Sequence, residues 1–123
     1  MILVDTSIWI DHLRFGDEAL KSLLNAGQVL GHPFVTGELS LGNLRDRNAV
    51  LNALQGLPQA VVATDDEVMR FIGQEILFGI GIGYVDAHLL ASVRLSQGAS
   101  LWTRDKRLIA AATRLGLSAS LAH

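Results

Sequence analysis

Short apolar runs set far apart dictate the architecture of this chain. Ile2–Val4, Val29–Leu30, Ala60–Ala63 and Leu101–Trp102 are too short for buried helices and read as strands, with a further short run near Leu117–Ala119. The segments between them carry apolar residues at helical spacing, which predicts helices near residues 7–14, 17–26, 33–44, 46–56, 65–78, 83–96 and 105–115. Strands separated by helices pair in parallel, because a parallel partner needs a crossover connection rather than a hairpin. The expected fold is therefore α/β: a three-layer α/β/α sandwich around a small central parallel sheet. With 123 residues and no interdomain linker or repeat, one domain over 1–123 is expected.

Several element ends have a local mechanism. Gly27 and Gly98 suit helix C-caps, where positive φ is needed. Pro33 suits a first helical turn, where a missing N–H costs nothing. Thr64-Asp65-Asp66-Glu67 reads as a capping box before Val68-Met69. Gly79, Gly81 and Gly83 mark a pliable connection before the next helix.

Composition removes whole classes of chemistry. Cysteine is absent, which excludes disulfides, iron–sulfur clusters and thiolate zinc sites. No apolar run reaches the ~18–20 residues of a membrane span, and the first residues lack the basic leader and apolar core of a signal peptide. A soluble, cytoplasmic protein is expected. The net charge of −2 argues against broad non-specific nucleic-acid binding, but a bound cation and local arginines can still supply the field for an RNA substrate. There is no Gly-x-x-x-x-Gly-Lys-Ser/Thr loop, no His-Glu-x-x-His and no Gly-x-Ser-x-Gly. His12, His32, His88 and His123 show no metal-ligand spacing, and His88 shares a helical face with Ser92 and Ser96, away from Asp86.

The acids carry what chemistry remains. Asp17, Glu18, Asp46, Asp65, Asp66 and Glu67 fall at helix starts, where a negative charge meets the positive dipole end. Asp11 reads as a surface residue and Glu75 as a structural acid. Asp5 ends the first strand and Asp105 follows another, and in parallel sheets ligands bind outside the carboxyl ends of strands. Either could instead cap the helix it precedes. Asp86 aligns with Leu89, Leu90 and Val93, and Glu38 with Phe34, Val35, Leu41 and Gly42. A carboxylate on an apolar face needs a metal or a paired cation to offset desolvation, so a buried ion pair is the alternative at both positions. If the four converge, their hard oxygens select magnesium or manganese, and phosphodiester hydrolysis is the natural reaction class.

At these residues the sequence resembles a known family. Ile2-Leu3-Val4-Asp5-Thr6-Ser7-Ile8-Trp9-Ile10-Asp11-His12-Leu13 resembles the opening of PIN-domain ribonucleases, especially the VapC toxins of bacterial toxin–antitoxin pairs. Gly37-Glu38-Leu39-Ser40-Leu41-Gly42 is similar to their second motif, Gly83 to Ser92 to the third, and Leu101-Trp102-Thr103-Arg104-Asp105-Lys106-Arg107-Leu108 to the fourth. The blocks fall in order across essentially the whole chain. The resemblance implies a PIN fold, Mg2+ (or Mn2+) held at Asp5, Glu38, Asp86 and Asp105, and a hydroxyl shell from Thr6 or Ser7 and Thr103. It also implies an endoribonuclease that cuts transfer or ribosomal RNA to stop translation, a homodimer, and silencing by a VapB-type antitoxin. A receiver-type domain using Asp5 is disfavoured, since Thr6 and Ser7 rather than acids follow it.

Two surfaces complete the reading. Arg45, Arg47, Arg104, Lys106 and Arg107 flank the candidate acids and suit phosphate contacts, or else form local ion pairs on a solvated face. Val68, Met69, Phe71, Ile72, Ile76, Leu77 and Phe78 exceed one buried stripe and suggest a partner surface, for a second copy or an antitoxin.

Overall fold

The computed structural model describes residues 1–121; His123 lies outside the described residues. The chain runs β1 (Ile2–Val4), α1 (Thr6–Phe15), α2 (Glu18–Asn25), β2 (Val29–Leu30), α3 (Pro33–Ser40), α4 (Arg47–Gln55), α5 (Asp65–Gln74), α6 (Tyr84–Leu95), β3 (Ser100–Trp102) and α7 (Lys106–Arg114). The three strands pair in parallel in the order β2-β1-β3. Successive strand residues face opposite sides of a sheet. Leu3 and Val4 of the central strand are both fully buried, so both faces are covered and the fold is an α/β/α sandwich. Val29, Leu89, Leu90, Leu101 and Leu108 extend the same core.

The chain leaves β1 for β2 on one side and returns to β3 on the other. The carboxyl end of β1 is thus the point where the winding reverses, which is where open α/β sheets place their ligands. Asp5 stands there, its backbone N–H donating to the Trp102 carbonyl at 2.9 Å.

Local signals act as expected at several ends. Gly27 and Gly98 have φ of +67° and +75°. Pro33 occupies the first turn of α3, and Thr64 and Glu67 form the reciprocal capping box of α5. Elsewhere the structure corrects the sequence. Ala60–Ala63 is not a strand. Only Gln59 bridges to Gly31, and the N–H groups of Val61 and Ala63 go instead to the hydroxyls of Ser96 (2.9 Å) and Ser92 (3.3 Å). The Leu117–Ala119 run contributes a single bridge, Ser118 to Leu101. The helix expected over 33–44 ends at Ser40, and that over 65–78 ends at Gln74. Asp46 sits at the N-cap position of α4 in left-handed backbone and makes no side-chain cap.

Candidate active site

Asp5 sits at the N-cap position of α1, yet its side chain caps nothing. Its Oδ2 accepts from Thr103 Oγ1 at 2.8 Å and from Ser7 Oγ at 3.1 Å. Asp5 is buried, and two hydroxyls hold one of its oxygens. Thr103 is buried as well and faces both ways: its Oγ1 also accepts the Asp105 N–H at 3.1 Å. One hydroxyl therefore links the acids that follow β1 and β3.

The other three acids show the same division of labour. Asp105 caps α7 by accepting the Leu108 N–H on Oδ1 at 3.0 Å, so the capping alternative is correct for that oxygen. Asp86 lies in the first turn of α6, half-buried, and its Oδ2 accepts the Gly83 N–H at 3.0 Å. Glu38 lies near the end of α3, and its Oε1 accepts from Thr6 Oγ1 at 2.8 Å. Each carboxylate thus commits one oxygen to a protein donor and keeps the other available. The apolar-face argument for Glu38 does not hold: Glu38 is exposed and Leu41 is 89% exposed, because α3 stops before Leu41 and Gly42 can extend a stripe. What places Glu38 is Thr6.

Electrostatics group the four. Burial raises the Asp86 carboxyl above the ordinary range, and the charges of Asp5, Asp105 and Glu38 raise it further, against the stabilising Gly83 N–H. The acids therefore share one neighbourhood, but they do not collapse onto one point. Among the described residues, no three Asp, Glu, His or Cys side chains stand close enough together to hold a single ion. Each of the four is held by at least one hydrogen bond to its own surroundings. The donor set still fits magnesium, which takes oxygen ligands, binds few carboxylates directly and keeps several waters.

The cations divide differently from the sequence reading. Arg104 forms ion pairs with Asp11 and with Asp17 (2.7 Å), so it ties α1 to the start of α2 and is not free for phosphate. Arg47 donates to the Ser40 carbonyl at 3.0 Å. Arg45, Lys106 and Arg107 form no ion pair among the described residues and are exposed.

Behind the acids lies a histidine cluster that the sequence did not reveal. His32 is fully buried as the N-cap of α3, accepting the Phe34 N–H on Nδ1 at 3.0 Å, with Nε2 3.0 Å from Ser92 Oγ. Burial first, and the neighbouring His88 second, lower its pKa to about 4. Its one legible signal was its place immediately before the helix-starting Pro33. His88 is buried against Phe34 and Tyr84, and its Nε2 lies 3.1 Å from Asp65. Asp65 also accepts from the Tyr84 hydroxyl, and these two bonds hold its carboxyl below the usual range. Glu75 pairs with Arg94 at 3.4 Å, as a structural acid.

The apolar excess shrinks on inspection. Val68, Phe71 and Leu77 are core residues and Ile72 packs against them, leaving Met69, Ile76 and Phe78 exposed. A separate groove of about 500 Å³ opens beside Glu38, lined by Ile10, Leu13, Phe15, Val50, Arg14 and Arg45 among others.

A three-layer fold with acids clustered at the carboxyl ends of β1 and β3, completed from α3 and α6, defines a carboxylate-site α/β protein of the kind suited to phosphodiester chemistry. The sequence profile of the PIN domain matches residues 2–114. The chain is also 52% identical over 118 residues to Ribonuclease VapC32 of Mycobacterium tuberculosis, in strains CDC 1551 / Oshkosh and ATCC 25618 / H37Rv, across 96% of this chain and 95% of the relative. The chain belongs to the PIN-domain family, in its VapC ribonuclease type.

Proposed function

We propose that the protein is a single PIN-like domain over residues 1–123 acting as a metal-dependent endoribonuclease, the toxin of a toxin–antitoxin pair. The observation that carries this is the electrostatic coupling of Asp86 to Asp5, Glu38 and Asp105, each with one oxygen free of a protein donor. Those four would hold Mg2+, or Mn2+ in its place. Once bound, the cation would neutralise the carboxylates and supply Lewis acidity toward a phosphodiester.

The chain's own groups do the positioning. Thr103 and Ser7 fix the Asp5 carboxylate, Thr6 orients Glu38, and Thr103 sets the backbone of Asp105. Lys106 and Arg107 offer charges to the phosphates on either side of the cut. In the hydrolysis, water oxygen bonds to phosphorus, the bond to one ribose oxygen breaks, and that oxygen takes a proton. The similarity to Ribonuclease VapC32 supports RNA as substrate; transfer or ribosomal RNA as the target class, and inhibition of translation as the outcome, are what the family resemblance implies. The similarity likewise supports a VapB-type antitoxin, and the apolar groove beside Glu38 suits a protein partner; a homodimer is what the family resemblance implies. No helix among the described residues is long and apolar enough to cross a membrane, and a cytoplasmic location suits an RNA target.

The test is incubation of partner-free protein with total bacterial RNA in magnesium, manganese or EDTA, alongside folded Asp5→Asn and Asp86→Asn. Discrete cleavage that requires metal and is lost in both variants is expected. Equal cleavage in EDTA, or by the variants, would refute the metal-site assignment.

A further inference from the structure

The connection between α5 and α6 is more constrained than its glycines suggest. Ile76 adopts φ +53°, a left-handed conformation that β-branched residues rarely take. Its carbonyl accepts from Arg114 of α7 at 3.2 Å, and Leu77 beside it is buried. At Gly81, φ is +84°, and a Cβ would stand 2.5 Å from Nη1 of Arg107, so only glycine lets the arginine lie across the loop. At the far end, the Gly83 N–H is held by the candidate ligand Asp86. The segment is thus bonded to α7 through Arg114, packed closely under the Arg107 side chain at Gly81, and bonded to the site through Asp86.

Between the fastenings, Phe78 is 63% exposed. It lies three residues from Gly81, so the chain keeps it within about 11 Å of the point where Arg107 crosses. An exposed ring on the same loop that Arg107 crosses, with that loop tied to an acidic phosphodiester site, combines the two elements of single-strand recognition: charge for the backbone and a π-face for a base. A protein-docking face would need contiguous apolar area. Ile76 and Ile80 are exposed on either side of Phe78, but Leu77 is buried and glycines at 79, 81 and 83 interrupt the run. The guanidinium of Arg107 lies against it, a mixture of ring and charge that suits RNA better than a purely apolar partner.

We infer that residues 76–83 form an RNA-gripping flap in which Phe78 stacks on one unpaired base flanking the cut, while Arg107 holds the adjoining phosphate. This rests on the endoribonuclease reading and narrows its substrate to RNA with an unpaired nucleotide at that position, since a base within a continuous duplex offers no free face.

The test uses Phe78→Ala, Phe78→Leu and Phe78→Trp, each checked for native circular dichroism. Binding is measured in an Asp5→Asn background by anisotropy, with a labelled single-stranded RNA of mixed sequence and the same strand annealed to its complement. Phe78→Ala and Phe78→Leu should weaken single-strand binding about tenfold or more. Phe78→Trp should retain it, with emission quenched by RNA above the background of Trp9 and Trp102. Duplex binding should not respond to any of the three. Full single-strand binding by Phe78→Leu would show that the ring is not needed and overturn the inference, as would altered self-association with unchanged RNA affinity. Cleavage by the unsubstituted protein with binding indifferent to Phe78 overturns the flap alone. Absence of both cleavage and binding overturns the endoribonuclease reading and the flap with it.

Discussion

Lowering the pH should loosen the frame of the site through His32, by an amount the structure allows one to estimate. Its Nδ1 must stay unprotonated to accept the Phe34 N–H, and Nε2 meets Ser92 in a fully buried setting. The folded pKa of about 4 lies below the 6.5 of a free histidine, so the unfolded chain takes up the proton first as pH falls. The stabilisation is complete at neutral pH and is lost as pH falls from 6.5 through 4. The gap corresponds to about 3 kcal/mol in all, of which about 2 kcal/mol is gone by pH 5. That is a large share of a typical stability of ~5–15 kcal/mol. Other groups titrate too: Asp65 and Glu67 are lowered and lose stabilisation in the carboxylate range, while Asp86 is raised and works the opposite way. His32→Asn shares all of these but cannot titrate at position 32, and its amide oxygen can still accept the Phe34 N–H. Urea unfolding at pH 7 and pH 5 should show the unsubstituted protein losing about 2 kcal/mol more than the variant. Equal losses in the two proteins would refute the reasoning.

Other consequences can be checked in parallel. Asp86→Asn should raise the melting temperature in EDTA while abolishing cleavage, because it removes a half-buried charge repelled by three others and keeps an acceptor for Gly83; an unchanged or lower melting temperature would count against the repulsion. Added Mg2+ should then stabilise the unsubstituted protein and not Asp86→Asn, read as the shift in thermal unfolding. Thr103→Val should cut cleavage about 10- to 100-fold, with Thr103→Ser restoring most of it, since the hydroxyl serves Asp5 and Asp105 together. Lys106→Ala should weaken RNA binding and flatten its salt dependence, whereas Arg104→Ala should lower stability with little change in salt dependence; the reverse pattern would show that the Asp11 and Asp17 pairs do not hold Arg104.

The parts of this molecule that obey local rules were legible in the sequence. Strands β1, β2 and β3, the Thr64 capping box and the Pro33 start depend on residues within one or two turns, and each appears where its pattern put it. The misjudged parts depend on contacts across the chain. Ala60–Ala63 has the composition of a strand, but hydroxyls of α6 take the N–H groups of Val61 and Ala63. Helical spacing marks Glu38 for a burial it does not have; the hydroxyl of Thr6, far away in sequence, holds it instead. His32 and His88 are polar residues made interior by partners from other helices, which no helical wheel displays. The four acids themselves stood out because strand ends and family motifs pointed to them, while their one-oxygen anchoring could only be seen in three dimensions.

The hydroxyl of Thr103 that grips Asp5 bridges residues 98 positions apart, and the central strand β1 depends on β3 for one of its two edges. A chain emerging from the ribosome exposes Asp5 long before it gains Thr103 and the third strand, 98 positions later. Such distant pairing delays folding until the last elements are present. For a ribonuclease made among cellular RNAs, this ordering should keep the nascent chain harmless: chains stalled before Ser100 should be inert on RNA, and activity should appear only once β3 and α7 can join.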